Sequence, residues 1–278
     1  MRRETFATTK PLVVNVNLPR GDLRVETADT QETTVTLSGS SDRAERLIEE
    51  AVVQLEDRGD YDELVVDVDQ EDFGWRAGRF RLSISLERSE DVDVRITAPH
   101  GSGLVATTAQ GDVRADGRFG EVEAKTASGD IFVGEVERNA TVKTASGDIK
   151  VERVEGSLKG QTAAGDVFVG PVGGDAEVKT AAGDIRLHEV GGSVSVQSAS
   201  GDVRVDSVAR GSAELKSVSG DLLVGVRRGS RVWMDVKTVT GDARSELEAV
   251  DDIDDDQAPL VELRATAMSG DIKIVRAD

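Results

Sequence analysis

Six aspartates in this chain share one neighbour and one spacing. Asp112, Asp130, Asp148, Asp166, Asp184 and Asp202 each follow a glycine, at Gly111, Gly129, Gly147, Gly165, Gly183 and Gly201, and successive pairs stand 18 residues apart. If the intervening chain closes one coil, their carboxylates stack in a file about 4.8 Å apart. Neighbouring charges at that distance repel by about 1 kcal/mol in water and several times more where the effective dielectric is lower, so something must offset the file. Calcium is one answer, but it takes about six to eight oxygens and one Asp per coil supplies too few. The other answer is that each carboxylate accepts peptide N–H groups of its own turn, as Asx turns do. The expectation is therefore a structural turn ladder, with the glycines at positive-φ corners where a Cβ would be strained. A partial file of Lys125, Lys143, Lys179, Lys216 and Lys237, with Gln161 and Gln197 at matching places, offers further counter-charge.

The densest charge lies elsewhere, in Asp251, Asp252, Asp254, Asp255 and Asp256. These five are the metal-ligand candidates, but the run lacks the mid-loop Gly and terminal Glu of a calcium-binding loop, and reads better as a solvated loop. Catalysis needs converging groups. Only His100 and His188 are available, in unrelated contexts, and Cys is absent, which removes thiolate nucleophiles and zinc-thiolate sites. No catalytic residue and no cofactor-binding residue is assigned. Sugar-cleaving solenoids need clustered charges beside aromatic platforms, and the regular coils here hold only Phe119, Phe132, Phe168 and Trp233.

The elements that carry the Gly-Asp pairs follow from the period. Each pair opens an alternating apolar stretch, as in Ile131, Val133, Val136 and Ile149, Val151, Val154, which marks strands with one buried face. A fixed repeat of this size signals stacked units that cannot fold singly. The fold class is all-β, a parallel β-solenoid of about 18 residues per coil with about three short strands in each. Residues 1–103 form a wider N-terminal β region with the start of the array, and residues 104–278 the regular coils. Within the first region Pro19-Arg20-Gly21 ends an opening strand. Ser41-Asp42 starts one helix, with Glu45 placed to complete a capping box from Asp42. Further strands are expected at 52–56, 64–69, 80–87 and 92–98. The later repeats loosen, their glycines falling at Gly220, Gly241 and Gly270. The last coil, through Ile272 and Ile274, has nothing after it to cover its edge.

Charge narrows the partners. With 34 Lys and Arg against 53 Asp and Glu, the formal charge is −19, which repels nucleic acid and anionic membrane surfaces. No stretch approaches the apolar length of a membrane span, so no direct membrane insertion is expected. The opening Met1-Arg2-Arg3-Glu4-Thr5-Phe6 lacks the apolar run of a signal peptide, and the chain reads as cytoplasmic.

The phrase Thr-Ala-Ser-Gly-Asp-Ile, preceded by Val142-Lys143-Thr144, resembles the bacterial adhesin-type β-strand-repeat family, also called the toastrack domain. Gly21-Asp22-Leu23-Arg24-Val25 and Ala98-Pro99-His100-Gly101-Ser102 extend that resemblance over most of the chain. What it implies is a domain without an assigned biochemical activity, tied to the cell envelope and envelope stress and acting as an assembly surface; it supplies no catalytic residues. The leading expectation is a non-enzymatic scaffold that binds another protein, or its own copies, through coil ends or faces. Two others stand beside it: a cation- or glycan-binding adhesin-like module, and a polysaccharide-active enzyme.

Overall fold

The computed structural model describes residues 1–68, 90–247 and 258–277. The expected strand at 80–87 and the acidic run Asp251 to Asp256 lie outside the described residues. The chain forms a parallel β-solenoid, and it divides into two compact units, residues 1–137 and 138–278.

The first unit carries, in chain order, β1 (Arg2–Ala7), β2 (Leu12–Arg20), β3 (Leu23–Ala28), β4 (Glu32–Gly39), α1 (Asp42–Glu50), β5 (Val52–Asp57), β6 (Asp62–Asp67), β7 (Val92–Pro99), β8 (Gly103–Gln110), β9 (Val113–Phe119), β10 (Val122–Lys125) and β11 (Ile131–Val136). One sheet runs β1-β4-β7-β3-β9-β11 and the other β5-β6-β2-β8-β10. The coil of β2 and β3 is central: β2 pairs in parallel with both β6 and β8, and β3 with both β7 and β9. Beyond it the solenoid gives way to antiparallel pairs, β4 on β7, β1 on β4 and β5 on β6. The opening strand runs on through Pro19, and the corner falls at Gly21 rather than at Pro19 to Gly21. Helix α1 buries Ala44 and Ile48 against β4 and β7. Its N-cap is Ser41, whose hydroxyl accepts the Ala44 N–H at 3.0 Å. The capping box expected from Asp42 and Glu45 is therefore one residue out of step, because Ser41 holds the extended backbone that an N-cap needs.

The second unit carries β12 (Ala140–Lys143), β13 (Ile149–Val154), β14 (Leu158–Gln161), β15 (Val167–Val169), β16 (Ala176–Ala182), β17 (Ile185–Val190), β18 (Val194–Ser200), β19 (Val203–Val208), β20 (Gly211–Ser219), β21 (Leu222–Arg227), β22 (Arg231–Thr240), β23 (Ala243–Ser245), β24 (Leu260–Ser269) and β25 (Ile272–Ala277). Each coil gives one strand to each of two sheets, not three. The predicted break after the second apolar residue is a bend that the strand absorbs, as at the register shift between Val133 and Glu135 of β11. Inside the unit, like stacks on like: Ile149, Val167, Ile185, Val203, Leu222 and Ile272 pair in sequence, all buried. Facing them are the small residues Ala140, Ala176 and Ala213 with Leu158 and Val194. Val, Ile, Leu and Ala side chains from both sheets fill the core of this unit without aromatic bulk among the described residues.

The end of the array departs from the sequence order. The sheets finish β19-β21-β25-β23 and β18-β20-β24-β22, so the C-terminal coil of β24 and β25 is threaded between its two predecessors. Ile272 and Ile274, expected at an uncovered edge, are 1% exposed and have a strand on either side. The inward residues explain the choice. Those of β24 and β25 are Val261, Leu263, Ala265, Ala267, Ile272 and Ile274, which need burial from both neighbours, whereas β23 offers Ala243 and Ser245 at the matching places. On that sheet the more apolar strand takes the interior and leaves β23 at the edge.

Candidate functional site

The Gly-Asp corners are built from backbone first. Gly165 and Gly183 have φ of 142° and 137°, a region that L side chains avoid. A Cβ on Gly183 would also meet the Gly165 carbonyl oxygen at 2.0 Å. The coils approach too closely there for any side chain. The neighbouring aspartates are satisfied, but not within their own turns as expected. In the first unit Asp112 Oδ1 accepts the peptide N–H of Asp130 at 2.8 Å. In the second, Asp148, Asp166 and Asp184 accept the N–H groups of Asp166, Asp184 and Asp202 at 2.7, 2.8 and 2.8 Å. Each of these carboxylates thus clips the next coil, whose peptide N–H the in-register stacking brings within hydrogen-bond distance. The file continues spatially, not sequentially, through Asp221, Asp271 and Asp242.

This arrangement commits one oxygen of each carboxylate to protein. Among the described residues no group of three or more His, Cys, Asp or Glu side chains is placed to share a metal ion. The lysines also act differently from expectation. Lys125 pairs with Glu123, Lys179 with Glu177 at 2.6 Å, Lys216 with Glu214 at 2.5 Å and Lys237 with Asp235 at 2.9 Å, each with a carboxylate two residues earlier on its own strand. Residues two apart share a strand face, so the i, i+2 spacing makes these pairs and draws the lysines away from the ladder.

Threonine is the buried polar element that the repeat phrase concealed. Thr162 and Thr180 are buried and donate to the carbonyls of Gly147 and Gly165. Where the position changes to Ser198 and Ser217, the buried hydroxyl has no partner. A second polar file, Asn139, Ser157, Asp175 and Ser193, joins coil to coil through side chain and peptide N–H contacts. It borders an open groove of 540 Å³ in the second unit, flanked by Lys159 and Glu177 and lined by no aromatic side chain.

The two histidines do not meet a shared nucleophile. In the first unit His100 Nδ1 lies 3.1 Å from Thr27 Oγ1. In the second, exposed His188 lies 3.2 Å from Asp206, whose carboxylate also meets Arg204 at 2.5 Å and Arg186 at 3.4 Å. Burial alone would raise the Asp206 pKa, but the hydrogen bonds from Arg204 and His188 and the nearby guanidinium charges hold it below the usual carboxylate value.

The surface that sequence reasoning missed lies at the edge of the second unit. The alanine of the repeat phrase points outward, at Ala181 and Ala199. In the last three coils it becomes Val218, Met268 and Val239, 50%, 57% and 81% exposed. The paired residues on either side of them place these three side by side. They lead to β22, which among the described residues pairs on one side only, with β24. Trp233 and Met234 of that strand are 49% and 40% exposed, with the Arg264 guanidinium 5.6 Å from the Trp233 ring. The substitution of Ala by Val, Met and Val was visible in the sequence; that the three are adjacent was not.

The model of the family described as Toastrack DUF4097 matches residues 10–275. The chain belongs to that family. No curated protein matches it significantly. Solved structures similar to this Toastrack chain include a candidate cell adhesion protein from Clostridium sporogenes, 11% identical over 99% of each chain with a TM-score of 0.26. A candidate adhesin from Bacteroides fragilis is 12% identical over 98% of this chain and 96% of its own, with a TM-score of 0.34. A candidate lipid-binding protein from Parabacteroides distasonis has the same identity and coverage and a TM-score of 0.36. Among the described residues no helix is long and apolar enough to cross a membrane.

Proposed function

We propose that this Toastrack chain is a non-enzymatic β-solenoid scaffold that binds another protein chain through the edge of its C-terminal unit. The observation that carries this reading is the exposed apolar file of Val218, Met268 and Val239, which ends on a strand that among the described residues pairs on one side only. Contiguous exposed apolar surface marks interaction sites, and an open edge supplies backbone donors and acceptors for an added strand. The carboxylates of the repeats are spent on coil-to-coil hydrogen bonds, which supports a structural rather than a chemical role for them.

The test is site-specific photo-crosslinking in the cell that makes the protein. A photoreactive residue at Val239 should yield covalent adducts with polypeptide, while one at exposed Arg210, away from the file, should not. Equal or absent labelling at the two positions would sink the reading.

A further inference from the structure

Among the described residues β22 is the longest strand at a sheet edge, ten residues against six for β1 and β5 and three for β23. Edges are usually kept short, bulged or strongly charged because they invite pairing. This one instead carries a pattern that is complementary to itself. In an antiparallel pair, residues directly opposite each other share a face, so two copies of β22 related by a two-fold axis must pair residues of like parity. Centred on Val236, that register sets Asp235 opposite Lys237 of the second copy, and Lys237 opposite its Asp235. On the same outer face Trp233 meets Val239 of the second copy, and the reverse. The inner face sets Val236 on itself and Met234 on Thr238.

The neighbouring registers do not do this. Centring on Asp235 places two aspartates opposite each other, and centring on Lys237 places two lysines so; like charges directly opposite are destabilising. Centring on Met234 sets Arg231 opposite Lys237. Only the Val236 register among these cancels charge and covers Trp233 with an apolar partner. It also continues the file across the seam, running Val218, Met268, Val239 and then Trp233 of the second copy.

We propose, building on the scaffold reading above, that the occupant of the β22 edge is a second copy of this chain, paired antiparallel about Val236. Lys237 guards the edge against indiscriminate pairing, and Asp235 of the second copy lifts that guard in one register. Because the two-fold contact uses the same strand twice, it closes on itself and gives a dimer, not a filament.

The test is mass measurement by light scattering and sedimentation on the full chain, across a concentration series up to about 0.1 mM. The wild-type protein should reach the mass of two 29.6-kDa chains. D235K alone and K237D alone should each weaken the dimer by about tenfold or more, since either places like charges opposite each other twice. An equimolar mixture of the two variants should restore it, because every 235–237 pair is then Lys against Asp. Restoration by mixing also shows that both variants are folded. A wild-type monomer throughout, variants that dimerise unchanged, or a mixture that stays apart would each overturn the proposal. A wild-type monomer that still crosslinks from Val239 to a different protein would overturn this pairing and leave the scaffold reading standing; no adduct at all would remove both.

Discussion

Glycine at the Gly-Asp corner is demanded twice over, by a φ near 140° and by a neighbouring carbonyl that occupies the space of a Cβ. Other positive-φ glycines satisfy only the first demand, such as Gly229, with a φ of 83° and no atom within 4 Å of the place a Cβ would take. The two should therefore separate cleanly on substitution. Gly229→Ala is expected to cost about 1 kcal/mol, the cost of the left-handed region alone. Gly183→Ala is expected to cost about 3 kcal/mol or more, because the coils must also part. Chemical denaturation of both variants checks this, and equal losses would mean that the stack yields easily at its corners. The aspartates belong to the same scale. Their side chains were legible as a file from sequence, but the bonding partner was not, since an Asx turn and a coil-to-coil clip use the same residue type and differ only in where the nearest free N–H lies.

The strand is the scale at which the threaded C-terminal coil matters. Sequence order puts β25 last and therefore outermost, and on that basis Ile272→Asp with Ile274→Asp would disturb an interface. The structure puts β25 between β21 and β23 with both isoleucines buried. Each substitution now places a carboxylate in the core, so even Ile272→Asp alone should cost about 4 kcal/mol or more. The expected outcome is loss of the thermal unfolding transition of the second unit rather than a change of mass in a folded protein. A variant that stays folded but changes its association would show that β25 is the edge after all. The inward pattern of β24 and β25, richer in Leu and Ile than that of β23, was the sequence signal for this threading. It became readable only once both neighbours of each strand were known.

At the scale of the whole molecule, charge works against compactness. Ion pairs along the strands, such as Glu177 with Lys179 and Glu214 with Lys216, are exposed and worth little singly. The remaining excess, −19 overall, repels itself across the surface. Raising NaCl from about 10 mM to about 150 mM shortens the screening length from about 30 Å to about 8 Å, so the unfolding midpoint should rise by a few degrees. A fall would mean that the paired charges outweigh the unpaired excess. The same acidity bears on partners, for a phosphate-rich surface would be repelled while a second strand like β22, with Arg231 and Lys237 against Asp235, need not be.

Period and alternation in the sequence determined the solenoid, the 18-residue coil and the glycine corners, because those features arise from local geometry repeated in register. Capping residues placed the start of the helix to within a residue. Tertiary structure alone decided the spatial order of the last coils, the partner of each carboxylate and the position of the open edge. Those depend on which strand lies beside which, and a parallel strand can accept either of two apolar neighbours with the same local pattern; the total burial of competing coils makes the choice.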